Sequence, residues 1–361
     1  MPQVLSLVVS RMICRLVQYS SPDARLNEAL EEAMLIARRK EQPLDTIRLW
    51  QNSRAVVLGN SAIPKGSVDV DACQENQVAI VRRASSGPTM FQDQGTINLT
   101  YVVDRNRFFP NARDLTAIYT GLSQAVAEGI TRLGADAEVD DCGLSILVGD
   151  QKISEAWVNF YYDFVQFQLS INVNTNLTTS GQVLLRKEHA ANLSAQVDRS
   201  LMLQDIETLL IDGITRRFGA AFEKQGFSGA EEKLSERLYE VKYSKDDWNF
   251  HGNAPLSLKG VLVDVYVAYP PTTSCRAIIE NLHSAIADFR DKVEVRIWMA
   301  GKGLDGEGHP SGVVMPGGLL KAMKESIIPA VIINGDISFS RTVPSREDLR
   351  SEILQVLRGS D

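Results

Sequence analysis

No two of the chain's four cysteines form a CxxC pair. Cys14, Cys73, Cys142 and Cys275 stand far apart, a spacing that matches no thiol metal site and suits reduced thiols in a cytosol. A cytoplasmic location is therefore expected. Histidine is equally scarce, with four scattered residues in 361, so no metal site is expected, zinc included. Positive charge is not in surplus. The formal net charge is −7, which argues against nucleic acid as a partner, because gripping a phosphate backbone takes an excess of Lys and Arg. No apolar run reaches the roughly 20 residues of a membrane span. The apolar start "MPQVLSLVVSRMICRLVQYS" is interrupted by Arg11 and Arg15 and has no basic region before it, so it is read as a buried strand and no membrane partner is expected. Internal repeats and low-complexity segments are absent too. What is present is ordinary for a globular protein: 44% hydrophobic and 23% charged residues, enough for a normal core, in a length that suggests about two to three domains.

Hydrophobic spacing gives the elements. "SPDARLNEALEEAMLIARRK" places Leu26, Ala29, Leu30, Ala33 and Met34 at helical intervals, with Pro22 in the first turn. "DTIRLWQN", "AVVLG", "VAIVRR" and "TINLTYVV" read as strands. "ARDLTAIYTGLSQAVAEGITRLG" is an amphipathic helix. "LSILVGDQKISEAWVNFYYDFVQFQLSINVN" alternates as a meander with Gly149-Asp150 at a tight turn. "DIETLLIDGITRRFG" and "SGAEEKLSERLYEVKY" are helices, the first stopping at Gly219. "WNFHGNAPLSLKG" is rich in turn formers and is taken as irregular, with a domain boundary there. Beyond it the order becomes β-α-β-α-β-β-α. That stretch includes an Asn334-Gly335 hairpin and a closing helix capped by Ser345, with Asp348 three residues on. This gives an α+β first part and three segments: 1–200, a helical extension and linker at 201–255, and 256–361.

The stretch "VRRASSGPTMFQDQGTINLTYV" pairs Arg82 and Arg83 with the small-residue turn Ser85, Ser86, Gly87 and Pro88, then Asp93, Gly95 and Asn98. "RLNEALEEAML" and "LWQNSRAVVLGNS" precede it; "QKISEA" (Lys152, Ile153, Ser154) and "KYSKDDWNFHGNAP" follow. In order and spacing these motifs resemble the lipoate–protein ligase A family, over about Pro22 to Pro255. The family frame is Arg-Arg-x-Ser-Gly-Gly-Gly, then His-Asp-x-Gly-Asn-Leu-Asn, then Lys-Ile-Ser/Ala-Gly. The resemblance implies a biotin/lipoate ligase-like mixed sheet with helices. It implies ATP as cosubstrate, with magnesium as an optional companion, and lipoate or octanoate as the acyl substrate. A lysine of a lipoyl-acceptor protein domain would receive the acyl group. On this reading Lys152 is the catalytic residue, contacting carboxylate and phosphate. Arg82, Arg83, Ser85, Ser86, Gly87, Asp93, Gly95 and Asn98 bind the adenylate and acyl group. A lone lysine at a strand end is ordinarily solvated; the frame around Lys152 is what makes it a candidate. Trp157 is read as core. Cys142, with no histidine near it in sequence, is read as filler.

The departures cluster where phosphate and acyl chain would lie. The family's three glycines are Ser86, Gly87 and Pro88; its histidine is Gln92; its glycine after Lys-Ile-Ser is Glu155. An Asn-Asp pair is replaced by Leu144-Ser145, and a His-Gly by Gln168-Leu169. Pro88 has no N–H to offer a phosphate. A protein that keeps this fold only to bind a lipoyl domain is therefore the alternative reading, and biotin ligase, which shares the fold, is a third. The last segment resembles a small thioredoxin-like α/β domain in which Thr272 stands at the first position of the CxxC and Cys275 at the second. That excludes a dithiol cycle within it and leaves Cys275 as a candidate thiol. Pro329 falls where such domains often hold a cis proline.

Overall fold

The structure is a computed structural model that describes residues 12–41, 44–110, 114–161, 163–186, 190–197, 201–304 and 315–358. The apolar segment before Met12 lies outside them. The chain divides into two compact units, 1–253 and 254–361.

The first unit begins with β1 (Met12–Gln18), helix α1 (Ala24–Glu41), β2 (Thr46–Trp50) and β3 (Ala55–Leu58). Two short helices, α2 (Pro64–Ser67) and α3 (Val70–Glu75), lead into β4 (Ala79–Arg82), β5 (Met90–Gln92) and β6 (Thr96–Asp104). After α4 (Arg105–Phe108) comes α5 (Leu115–Thr131), which starts where the Asp114 side chain accepts the Ala117 N–H. The expected meander is two hairpins: β7 (Ala137–Val139), β8 (Ile146–Val148) and β9 (Gln151–Lys152) form a small sheet, while β10 (Ser154–Tyr161) and β11 (Phe164–Asn172) join the main one. Then follow α6 (Leu177–Val183), α7 (Leu203–Phe218), which stops at Gly219, β12 (Ala220–Lys224), α8 (Gly229–Leu238) and α9 (Asp246–His251).

The main sheet runs β10-β11-β6-β2-β1-β12. Pairs from β10 to β2 are antiparallel, and β2-β1 and β1-β12 are parallel, so the sheet is mixed, as expected. Its core side, with Ile47, Leu49, Leu99, Tyr101 and Phe167, packs on Leu122, Val126 and Ile130 of α5 and on Ile206, Leu210 and Ile214 of α7. Within 201–255, expected as a helical extension and linker, β12 completes the main sheet and α7 lies in its core. Of the segment taken as irregular, residues 248–251 are helical, the end of α9, while 252–260 hold no helix or strand: Asn249 donates to the carbonyls of Tyr243 and Lys245, and Trp248 is buried against Tyr243. Asn and Trp are poor helix formers on propensity alone, and tertiary contacts override that here.

The second unit holds β13 (Val261–Val267), α10 (Thr273–Ala285), β14 (Val293–Met299), β15 (Gly303–Leu304), α11 (Gly317–Lys324), β16 (Ala330–Ile333), β17 (Asp336–Ser340) and α12 (Arg346–Arg358). Its sheet order is β15-β14-β13-β16-β17, with β13 and β14 parallel and β16 antiparallel to β13. Val261, Val263, Val265 and Val267 face one apolar cluster with α10 and α12, while Tyr266 faces another with α11. The strand is buried throughout, which is why it reads as an unbroken apolar run. Ser345 and Asp348 cap α12 reciprocally, and the Ile328–Pro329 bond is cis.

Candidate active site

The two arginines that open the site motif point into the protein. The Arg82 guanidinium donates to the carbonyls of Gly59, Asn60 and Ala62, each at 2.9 Å, and its Nε to that of Trp248, also at 2.9 Å. Arg82 is fully buried; it ties the 59–62 loop to α9 and does not meet the cavity described below. Arg83 is buried as well. Its Nη2 donates to the carbonyls of Ser86 at 3.1 Å and Pro88 at 2.8 Å, and its guanidinium lies 4.2 Å from the Trp157 ring centroid. Burial draws its pKa down to about 10. Arg83 is thus the strut beneath the 85–88 turn. Gly87 crosses that strut at φ 116°, and a Cβ there would stand 2.8 Å from both Arg83 Nη2 and Trp157 Cβ. Any other residue would lift the turn.

The rest of the motif is scaffold. The two Asp93 oxygens accept the N–H of Gly95 at 2.8 Å and of Asn176 at 2.9 Å. A Cβ on Gly95 would come within 2.1 Å of the Asn174 carbonyl. Asn98 donates to Gln92 Oε1 at 3.2 Å and accepts from Ser170 at 2.8 Å. Gln92 is the hub: its Oε1 also accepts from Asn52 at 2.7 Å, and its Nε2 donates to Ser170 at 3.0 Å. Asn27 extends the chain through Asn52 at 2.8 Å. These buried amides are fully paired with one another, which fixes β5, β6, β11 and α1 in register. No motif marks this network; its trace in the sequence is polar Asn27 on the same helix face as Leu30 and Met34.

A cavity of about 420 Å³ lies between β5, the β9–β10 junction and α6. Lys152 and Glu155 line it, with Met90, Phe91 and Arg186. Thr89 continues the 85–88 turn into its wall. Lys152 Nζ stands 3.0 Å from Glu155 Oε2. Of the expected residues, only Lys152 lines the cavity; the 85–88 turn reaches it through the next residue, Thr89, and Arg82, Arg83, Asp93, Gly95 and Asn98 are not among the lining residues. Trp157 is buried, and its Nε1 donates to Gln168 at 2.7 Å. Cys142 is exposed. Cys275, in the second unit, is fully buried. Burial pushes its thiol up, but the Thr272 hydroxyl, 3.1 Å from Sγ, together with backbone hydrogen bonds and Arg276, brings it below its ordinary value. Among the described residues no three His, Cys, Asp or Glu side chains gather as metal ligands.

Behind Arg83 lies a second polar cluster. Glu31 pairs with Arg48 at 2.7 Å. Glu28 is buried, and its Oε1 has no hydrogen-bond partner. Burial pushes its carboxyl up to about 8, with Glu31 adding and Arg83 and Arg48 opposing. The unfolded carboxyl titrates near 4.5, so between the two values the folded chain holds a proton that the unfolded chain has lost. That contribution to stability is full below 4.5 and is lost as pH rises toward 8. Glu28→Gln keeps the shape and removes the titration. It is expected to be more stable than the parent by about 3 kcal/mol near pH 7 and by about 5 kcal/mol above pH 8, with the gap closing toward the acid end. Melting curves across this range check it; a gap that does not change with pH would refute it.

Residues 23–215 match the family described as the lipoyl protein ligase A/B catalytic domain. The chain is 24% identical over 259 residues to lipoate-protein ligase A subunit 1 of Thermoplasma acidophilum, across 65% of this chain and 95% of that protein. A structure described as a lipoate protein ligase of T. acidophilum, with bound lipoic acid, is similar at a TM-score of 0.60 and 25% identity, over 66% of this chain and 100% of that one. A lipoate-protein ligase A structure bound with ATP gives 0.61 at 24% identity, over 67% and 100%, a likeness of fold. The match ends before the second unit. By its mixed sheet, its motif order and this match across more than half its length, the chain belongs to the lipoyl protein ligase A/B catalytic domain family.

Proposed function

We propose that the chain is an ATP-dependent lipoate– or octanoate–protein ligase. The observation that carries this reading is Lys152 on the wall of a cavity that Thr89, the residue after the 85–88 turn, also lines. In the first step a carboxylate oxygen attacks the α-phosphate of ATP and pyrophosphate leaves, giving an acyl-adenylate. Charge builds on the phosphate oxygens, and the Lys152 ammonium and Arg186 are the cations that would face it. Arg83 acts at one remove: by holding the Ser86 and Pro88 carbonyls it fixes the turn against which the nucleotide would lie. In the second step a lysine of a lipoyl-acceptor domain takes the acyl group. Magnesium, where present, would arrive on the nucleotide's own phosphates. Relatives bound with lipoic acid and with ATP support the choice of substrates.

A second reading has its own observation. Pro88 removes an N–H from the turn, and Arg83 already occupies two of the turn's carbonyls. A protein that has given up adenylation and only binds a lipoyl domain would tolerate this. The second unit, with its parallel β13-α10-β14 and antiparallel β16-β17 hairpin, supports a thioredoxin-like assignment. With Thr272 in place of the first thiol it would dock a partner protein, not run a dithiol cycle. One experiment separates the readings: purified full-length chain with ATP, octanoate or lipoate and candidate lipoyl domains, followed by mass spectrometry. Acyl-adenylate and an acylated lysine are expected. A lipoyl domain held without any adenylate would establish the second reading.

A further inference from the structure

The ligase reading leaves one charge in the cavity without a task. Glu155 is a carboxylate in a site meant for a carboxylate and phosphates. Its side chain is 15% exposed, that of Lys152 34%, so both look into the cavity from one wall. The Arg83 charge also reaches Glu155. For the first step Glu155 is a hindrance, since an anion seated on the Lys152 ammonium comes up against it. For the second step it is what the site would otherwise lack. Transfer brings a second ammonium, the acceptor lysine's, to an acyl carbon whose oxygen lies at Lys152. Two ammonium groups within a few ångströms repel unless an anion stands between them. Lys152 Nζ itself, 3.0 Å from Glu155 Oε2, shows that this carboxylate is placed to hold an ammonium in the cavity.

We propose that Glu155 is the residue that receives the acceptor lysine, holding its ammonium beside the acyl carbon once substrate has engaged Lys152. The inference rests on the ligase reading. In the step it serves, the lysine nitrogen forms a bond to the acyl carbon. The bond from that carbon to the phosphate oxygen breaks, and the electron pair leaves with AMP. The ammonium sheds two protons in all, both ending in solvent. One of these protons must leave before the nitrogen attacks, since only the neutral amine has a lone pair; Glu155 thereby selects for a nucleophile that arrives as a cation over one that arrives neutral.

The test supplies synthetic octanoyl-adenylate to the full-length chain, so that the outcome does not depend on the first step. Two nucleophiles compete: a lipoyl-domain lysine, and hydroxylamine, which is uncharged at neutral pH. Glu155→Gln is expected to lower the ratio of lysine product to hydroxamate by roughly ten- to hundredfold, the loss that one charged hydrogen bond implies. Glu155→Asp should recover part of it. A lowered ratio with an unchanged melting temperature supports the proposal, because general damage to the site would slow both nucleophiles alike. An unchanged ratio overturns the proposal and leaves the ligase reading standing. Failure of the parent chain to transfer to either nucleophile would overturn the ligase reading, and this inference with it.

Discussion

Lys152→Ala is expected to slow acyl-adenylate formation by two orders of magnitude or more while leaving the fold intact. A charge placed where negative charge develops in a transition state contributes about 3 kcal/mol or more, and neighbours cannot replace it without moving. Stability depends on this side chain far less. It is a third exposed, and its ion pair with Glu155 is only partly buried, a class worth about 0–1 kcal/mol. The check is release of pyrophosphate dependent on octanoate or lipoate, measured beside a melting curve for each protein. Lys152→Arg refines it: a planar guanidinium carries the charge but not the compact shape, so partial activity is expected. Unchanged turnover in the alanine variant would remove Lys152 from the mechanism.

Arg82→Ala should fail in the opposite way. Its guanidinium serves the carbonyls of Gly59, Asn60, Ala62 and Trp248; each loses that donor when it is cut away, though those of Gly59 and Trp248 keep the N–H of Ala62 and Gly252. Breaking a buried hydrogen-bond hub of this kind is expected to destabilise the first unit by about 2–4 kcal/mol, or roughly 10 °C in melting temperature for a domain this size. Nucleotide binding by the fraction that remains folded should be close to normal. A variant that melts like the parent but no longer binds nucleotide would show that Arg82 faces the ligand after all.

The two arginines show where sequence reading reaches and where it stops. Arg82 and Arg83 are adjacent at the end of a strand, and both were expected at an anion. Alternation along a strand sends neighbours to opposite sides, yet here both sides are interior: Arg82 meets α9 from some 166 positions away, and Arg83 meets Trp157. Partners that distant leave no local trace. The elements themselves were legible because their signals are local. Examples are the helical spacing of α5, the Asn334-Gly335 turn of the β16–β17 hairpin and the Ser345 cap of α12. Lys152 was legible through its motif, and the structure places it at the cavity. Asp93, Gly95 and Asn98 belong to the same motif but serve the backbone and the Gln92 network. A motif records what a fold requires as well as what a ligand requires, and spacing alone does not separate the two. β12 was missed because five residues between two helices, with an exposed end, carry too little alternation to stand out.

The pairing of β1 with β12 sets a schedule for synthesis. β1 is the first described strand to leave the ribosome, and its outer neighbour is among the last elements of its unit. Met12 pairs with Ala220, and the buried Arg15 finds its counter-ion only in Glu231, 216 positions on. At translation speeds of about 5–20 residues per second, that edge of the nascent sheet stays open, with its arginine unmatched, for roughly 10 to 40 s. An open strand edge is what invites a wrong partner chain. The first unit therefore cannot close as it emerges. It must be kept from its neighbours until residue 231 is free, by which time the second unit, whose strands pair across short distances, is about to be made.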